Sequence, residues 1–179
     1  MALGSVDEFK SRLAGGGARG NLFQVTLANP RGGLGVALDV DFASFMCEAA
    51  QLPASTIGTI VVPFRGRQLK MAGDRTFDVW TTTIINDTGF KIRDELEKWS
   101  NAISNHADAG GLQNPELYFA DLSVQQFDRD NTVIKTYTFK DAFPTEISAI
   151  DLSYGDTDTI ERFTCTWQYQ YWTSNTTDS

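Results

Sequence analysis

The chain has 179 residues, 41% of them apolar and 12% aromatic, with a mean hydropathy of −0.25. That length fits one domain with a core of its own, and the composition excludes a disordered chain. No apolar run approaches the roughly 18 residues a membrane-spanning helix needs. Fifteen Lys and Arg against 23 Asp and Glu leave a net charge of −8, the wrong sign for tight binding to phosphate backbones.

Along the chain, Val6, Phe9 and Leu13 fall at helical spacing before Gly15-Gly16-Gly17, which predicts a short amphipathic helix and a joint within residues 1–20. The start lacks the basic-then-apolar pattern of a secretory leader, so synthesis in the cytoplasm is expected. Residues 21–27 read as a strand with Phe23, Val25 and Leu27 on one face, and a second strand is expected over residues 36–49. Residues 51–70 interleave Ile57, Ile60, Val61, Val62 and Phe64 with Gly and Pro, reading as a long functional loop, with a turn at Gly73-Asp74.

A strand rich in β-branched and aromatic residues is predicted over 77–85. A helix follows over 90–104, capped by Asp87 or Thr88. It carries Ile92, Leu96, Trp99 and Ile103 on its inner face and the pairs Lys91–Glu95 and Asp94–Lys98 on its outer face. Strands over 117–127 and 133–139 flank the turn Asp128-Arg129-Asp130-Asn131, and Phe143-Pro144 closes that unit. From Arg162 the chain alternates strictly, with Phe163, Cys165, Trp167, Tyr169 and Tyr171 facing one way, before a frayed tail over 173–179. The sum is an antiparallel β-sandwich or small barrel with one packed α-helix.

Catalytic chemistry finds little support in the residues. The one histidine, His106, sits in a polar loop without a nucleophile motif, and Cys47 and Cys165 lie in apolar stretches suited to buried, reduced thiols. Asp128 with Asp130 and Asp156 with Asp158 lack the ligand set of a calcium loop or the partners of a glycosidase. The glycine run before Gly20 lacks the lysine and hydroxyl of a phosphate-binding loop, and the Asn-x-Thr triplets at Asn86 and Asn175 carry no weight. No cofactor or metal is called for. Four tryptophans raise a carbohydrate-binding β-sandwich as an alternative, with Trp172 the one indole expected at the surface.

Several segments occur in a recognisable order: Asn21-Leu22-Phe23-Gln24-Val25, then Phe45-Met46-Cys47-Glu48-Ala49-Ala50-Gln51-Leu52-Pro53, then the run from Arg67 through Leu69-Lys70-Met71-Ala72-Gly73-Asp74-Arg75-Thr76-Phe77-Asp78 to Trp80. Asn86-Asp87, a helix with Trp99 and an aromatic last strand complete the set. Over residues 21–172 the chain thus resembles the tail tube proteins of contractile-tailed bacteriophages. The resemblance implies hexameric rings whose strands join into a continuous inner β-barrel, stacked as a conduit for DNA ejection into the host. It also implies a virion tail assembled in the bacterial cytoplasm. Implied partners are further copies of the chain, a sheath outside, baseplate and tail-terminator proteins at the ends, and tape-measure protein and DNA passing through the lumen, with no membrane anchor. Tubes of bacterial contractile injection devices share the fold and are an alternative. On this reading Ile60, Val61, Val62, Pro63, Phe64, Arg65, Arg67 and Lys70 form the assembly interface, and Asp121, Asp128 and Asp130 are candidate lumen acids.

Overall fold

The computed structural model describes residues 5–13, 16–108 and 110–177; Gly15 of the predicted joint and the end of the predicted tail lie outside them. The elements in chain order are α1 (Val6–Arg12), β1 (Phe23–Thr26), α2 (Val40–Met46), β2 (Cys47–Ala50), β3 (Thr56–Phe64), β4 (Arg67–Thr76), β5 (Trp80–Ile85), α3 (Lys91–Ile103), a 3-10 turn (Pro115–Leu117), β6 (Ala120–Phe127), β7 (Val133–Ile147), β8 (Arg162–Gln168) and β9 (Tyr171–Ser174). One antiparallel sheet runs β1-β6-β7-β8-β5-β2, with β9 also on β7; β3 and β4 form a separate two-stranded ribbon.

Alternation sets the core. Trp80, Thr82 and Ile84 of β5, Ala120, Leu122 and Val124 of β6, and Phe163, Cys165 and Trp167 of β8 all point inward, and Trp80, Thr82 and Ile84 stand directly across from Trp167, Cys165 and Phe163. The helix α3 closes the core with buried Ile92, Leu96 and Trp99. The Trp99 ring lies edge-on to Trp167 at 5.7 Å, and its indole donates to the Tyr118 carbonyl at 2.9 Å. At the start of α3, Phe90 holds a left-handed φ of 51°, and Asp87 caps the turn by accepting from the Lys91 N–H at 3.0 Å and the Gly89 N–H at 3.2 Å.

Strand β7 organises the sheet. It pairs with β6 along one edge, while β9 and then β8 occupy the other, so β8 and β9 act as one strand interrupted at Tyr169-Gln170. An extra residue in β7, between the pairs Leu122–Phe139 and Ala120–Ala142, resets the alternation: Phe139, Ala142 and Pro144 are the buried positions. Asp141 sits in that bulge at φ 55°.

Six expectations need correction. The strand expected over 36–49 is instead a loop, then α2, whose N-cap Asp39 accepts from the Phe42 N–H at 3.1 Å, then the short β2. The loop expected over 51–70 is instead the larger part of a hairpin. Its turn is Arg65-Gly66, both at positive φ (46° and 77°), as a two-residue type I′ turn requires. Gly73-Asp74 is no turn: it lies where β4 carries one residue more than β3, and Gly73 is packed so closely on Gly58 that a Cβ would stand 3.2 Å from its backbone. Phe143-Pro144 does not end a unit but continues β7, and Tyr171 and the start of the predicted tail form β9, with Tyr171 exposed. On α3 the ion pairs are Arg93–Glu97 and Lys98–Glu95, because Glu95 turns to accept the Ala37 N–H at 2.7 Å and Lys91 lies over the Phe42 ring.

Candidate functional site: an uncovered hairpin and a trough

The ribbon β3–β4 has no buried residue, and only Gly73 is even half-buried. Its register separates two faces. Ile60, Val62 and Phe64 pair with Met71, Leu69 and Arg67, so five apolar side chains and one cation share a face. Val61 and Pro63 pair with Lys70 and Gln68 on the other face. The predicted interface residues therefore lie in one hairpin but do not act on one side: Val61, Pro63 and Lys70 look away from Ile60, Val62 and Phe64. Leu69 and Met71, 58% and 46% exposed, belong to the apolar face and were not singled out in the sequence. A period-2 reading of the 67–76 segment would have found them had it been taken as a strand. Arg65 occupies the turn, its guanidinium 5.3 Å from the Phe64 ring.

The hairpin is fixed at its root. The indole of Trp80 donates to the Gln51 carbonyl at 2.7 Å and that of Trp172 to the Ala54 carbonyl at 3.2 Å. Trp172 also packs edge-on against Tyr137 and Phe77. The indole expected at the surface is thus a half-buried strut, a poor platform for a sugar ring.

Between β1, α2 and β2 lies a trough of about 560 Å³ lined by Phe23, Val25, Phe45, Cys47, Glu48 and Asn131 among others. Phe45, one of its walls, is 88% exposed. The strands bounding it, β1 and β2, are the two ends of the sheet, and their outer edges have no strand partner among the described residues. Glu48 is ion-paired with Arg162.

The candidate lumen acids are not gathered. Asp121 stands at the start of β6 and Asp128 beyond its end, about 23 Å of strand away. Asp121 is half-exposed and already engaged: its carboxylate meets Lys140 at 2.7 Å and Arg31 at 2.9 Å, while Arg31 also reaches Asp141 at 2.7 Å and Glu116 at 3.0 Å. Burial pushes the Asp121 carboxyl up, but the hydrogen bonds from Lys140 and the Asp141 N–H and the two cations outweigh it and hold it below its ordinary value. A carboxyl lowered on folding stabilises the fold above its unfolded pKa, and that stabilisation disappears as pH falls through the folded value. Asp121→Asn is therefore expected to flatten the decline of Tm on acidification from about pH 5 to pH 2; superimposable melting curves for variant and parent across that range would refute the role. Asp128 is half-buried and Asp130 exposed in the β6–β7 turn, where Asn131 takes φ 57°.

Chemistry is not what these sites offer. Cys47 and Cys165 are buried free thiols; burial pushes Cys47 up to about 12 and Cys165 higher still, so neither forms a nucleophilic thiolate at neutral pH. His106 is exposed, and no cluster of potential metal ligands occurs among the described residues.

Comparison with known proteins bears on this arrangement. The phage tail tube protein family profile matches residues 18–175. The chain is 33% identical to tail tube protein gp19 of Enterobacteria phage T4 over 156 residues, covering 87% of this chain and 90% of that one. In fold it is similar to a chain of the sheath–tube complex of an extracellular contractile injection system, at a TM-score of 0.66 and 16% identity, covering 97% and 99% of the two chains. It is also similar to the tube-terminating cap of the anti-feeding prophage, at 0.66 and 19% identity over 89% and 91%. The sequence matches span the whole sheet, the hairpin and the trough, and they settle the assignment: the chain belongs to the phage tail tube protein family of contractile tails, a structural protein and not an enzyme.

Proposed function

We propose that copies of this chain form hexameric rings that stack into the inner tube of a contractile phage tail, through which DNA is ejected into the host. The observation that carries this reading is the hairpin β3–β4, which leaves Ile60, Val62, Phe64, Leu69 and Met71 uncovered on a face that a lone molecule has no means to bury. Open outer edges on β1 and β2 add to it, since a closed ring of copies removes edges that invite aggregation on a monomer. Six copies at −8 bring roughly −48 to each ring, which favours a bore that repels phosphates and lets the duplex slide.

In this reading a sheath surrounds the tube, baseplate and terminator proteins bind its ends, and tape-measure protein precedes DNA in the lumen. Assembly takes place in the bacterial cytoplasm and the product resides in the virion tail. The fold shared with an extracellular injection system supports a second reading, the tube of a DNA-free contractile particle. Purified protein imaged by negative-stain microscopy over a concentration series, with and without a nucleating baseplate, is expected to give rings and hollow filaments. Featureless monomers under every condition would sink the proposal. Particles isolated from the producing cell separate the two readings by whether they carry DNA-filled heads.

A further inference from the structure

The helix α1 stands away from the body of the molecule. Every residue from Ser5 to Leu13 is exposed, and among the described residues its side-chain hydrogen bonds and ion pairs run only within its own segment. Val6, Phe9 and Leu13 nevertheless share one face, 70%, 65% and 41% exposed. We propose that α1 is a strap that folds back over the trough of its own chain before assembly, covers Phe45 and the open edges of β1 and β2, and is displaced when a neighbouring copy arrives. The docking is a property of the single molecule, while the release rests on the ring-building reading.

Connectivity singles out the trough. Gln126 donates to the Arg19 carbonyl at 3.3 Å and pins the chain there; two residues later Asn21, then Phe23 and Val25, line the trough. From Leu13 to Arg19 the chain spans at most about 20 Å, which keeps α1 beside this pinned point. Gly16 and Gly17 between them take φ of 80° and 74°, so the chain reverses there without strain. The helix is about 10 Å long and β1 about 13 Å, so the one covers the other.

The two faces also match in chemistry. Phe23, Val25, Phe45 and Phe127 give the trough an apolar lining, and Glu48 is its one charged residue among those described. At about 100° per residue, Lys10 and Arg12 flank the apolar face of α1, whereas Asp7 and Glu8 lie on the far side. Docking therefore turns the cations of α1 toward the trough and its acids to solvent.

A helix makes a temporary cover. Its backbone hydrogen bonds are spent internally, so α1 shields the edges of β1 and β2 without pairing with them, whereas a strand of another copy gains a ladder there as well. A short tether holds α1 at an effective concentration of about millimolar. Closure therefore prevails in dilute solution and yields to a partner that offers more contacts.

Two experiments on the full chain decide it. Lys10→Cys and Ser44→Cys are combined, Cys47 and Cys165 being buried, and the dilute protein is treated with a short, cleavable bismaleimide. A rapid crosslink within single molecules is expected, slowed at least about ten-fold when Phe9→Glu removes the apolar anchor, the effect of uncovering a Phe side chain. An unchanged rate overturns the docking. Crosslinked monomers should join no tubes until the linker is cleaved; normal assembly of the crosslinked form overturns the lock. Without any crosslink, Phe9→Glu protein should form tubes at a concentration about ten-fold below that of the parent, since closure no longer competes. An equal or higher threshold refutes the strap and makes Phe9 at most a contact between copies. Parent and variants that never form tubes overturn the ring reading and the release with it, while the crosslinking rates still decide the docking.

Discussion

Replacing Phe64 and Arg67 together by alanine is expected to leave a folded monomer that no longer enters the proposed tubes. Both residues are at the hairpin tip, Phe64 is 66% exposed, and neither side chain supports the core, so the melting transition should move by no more than the equivalent of about 0.5 kcal/mol. In the proposed assembly the same two would be an aromatic anchor and an arginine, residue types enriched in interface cores. Losing either at the centre of a contact costs about 2 kcal/mol, about thirty-fold in affinity per contact. In the proposed tube every copy would contribute a hairpin, so the loss is expected to recur at each step of growth. Sedimentation velocity and electron microscopy on the double variant measure it directly. Tubes of normal length would show that the hairpin face is not what joins the copies.

The opposite pattern is expected in the core. Trp167→Ala removes the indole that stacks edge-on with Trp99, faces Trp80 across the β5–β8 pair, and donates from Nε1 to the Thr82 hydroxyl at 3.1 Å. Trp167 and Thr82 are fully buried, so the change opens a cavity the neighbours cannot fill and costs about 3–5 kcal/mol. A domain of this kind is stable by only about 5–15 kcal/mol, so much of the variant should be lost to unfolding or aggregation before assembly. Trp167→Phe keeps most of the volume and withdraws only the donor; Thr82 still reaches the Cys165 carbonyl at 3.4 Å, and the cost falls to about 1–2 kcal/mol. Trp172→Ala, at a half-buried position, should cost less than Trp167→Ala in a urea titration. Equal midpoints for those two alanine variants would contradict this account of the core.

Residues that fold the chain and residues proposed to join chains are unevenly legible in the sequence. The alternation in Arg162–Gln168 and Trp80–Ile85 and the spacing of Ile92, Leu96 and Trp99 identify core faces without any structure, because each pattern is a local period matched to one side of a strand or helix. The hairpin shows the limit. Its strands contain Pro63, Gly58 and Gly73, and its turn uses an arginine at positive φ, so the local signals read as loop, while its apolar content and cations supply only the expectation of a contact surface.

By itself, the sequence determined the acidic charge, the absence of a catalytic set, the strand and helix faces that make the core, and the family to which the motif from Arg67 to Trp80 points. Only the tertiary structure decided that residues 56–76 form a ribbon with one apolar face, that Val61 and Lys70 look away from Phe64, that Asp121 is neutralised by Lys140 and Arg31, and that a bulge at Asp141 carries β7 past two partners on one edge. Local periods follow from backbone geometry within a few residues. Register, bulges and ion pairs between segments 19 to 90 positions apart depend on which strands meet, and nothing in the local pattern of either segment specifies that meeting.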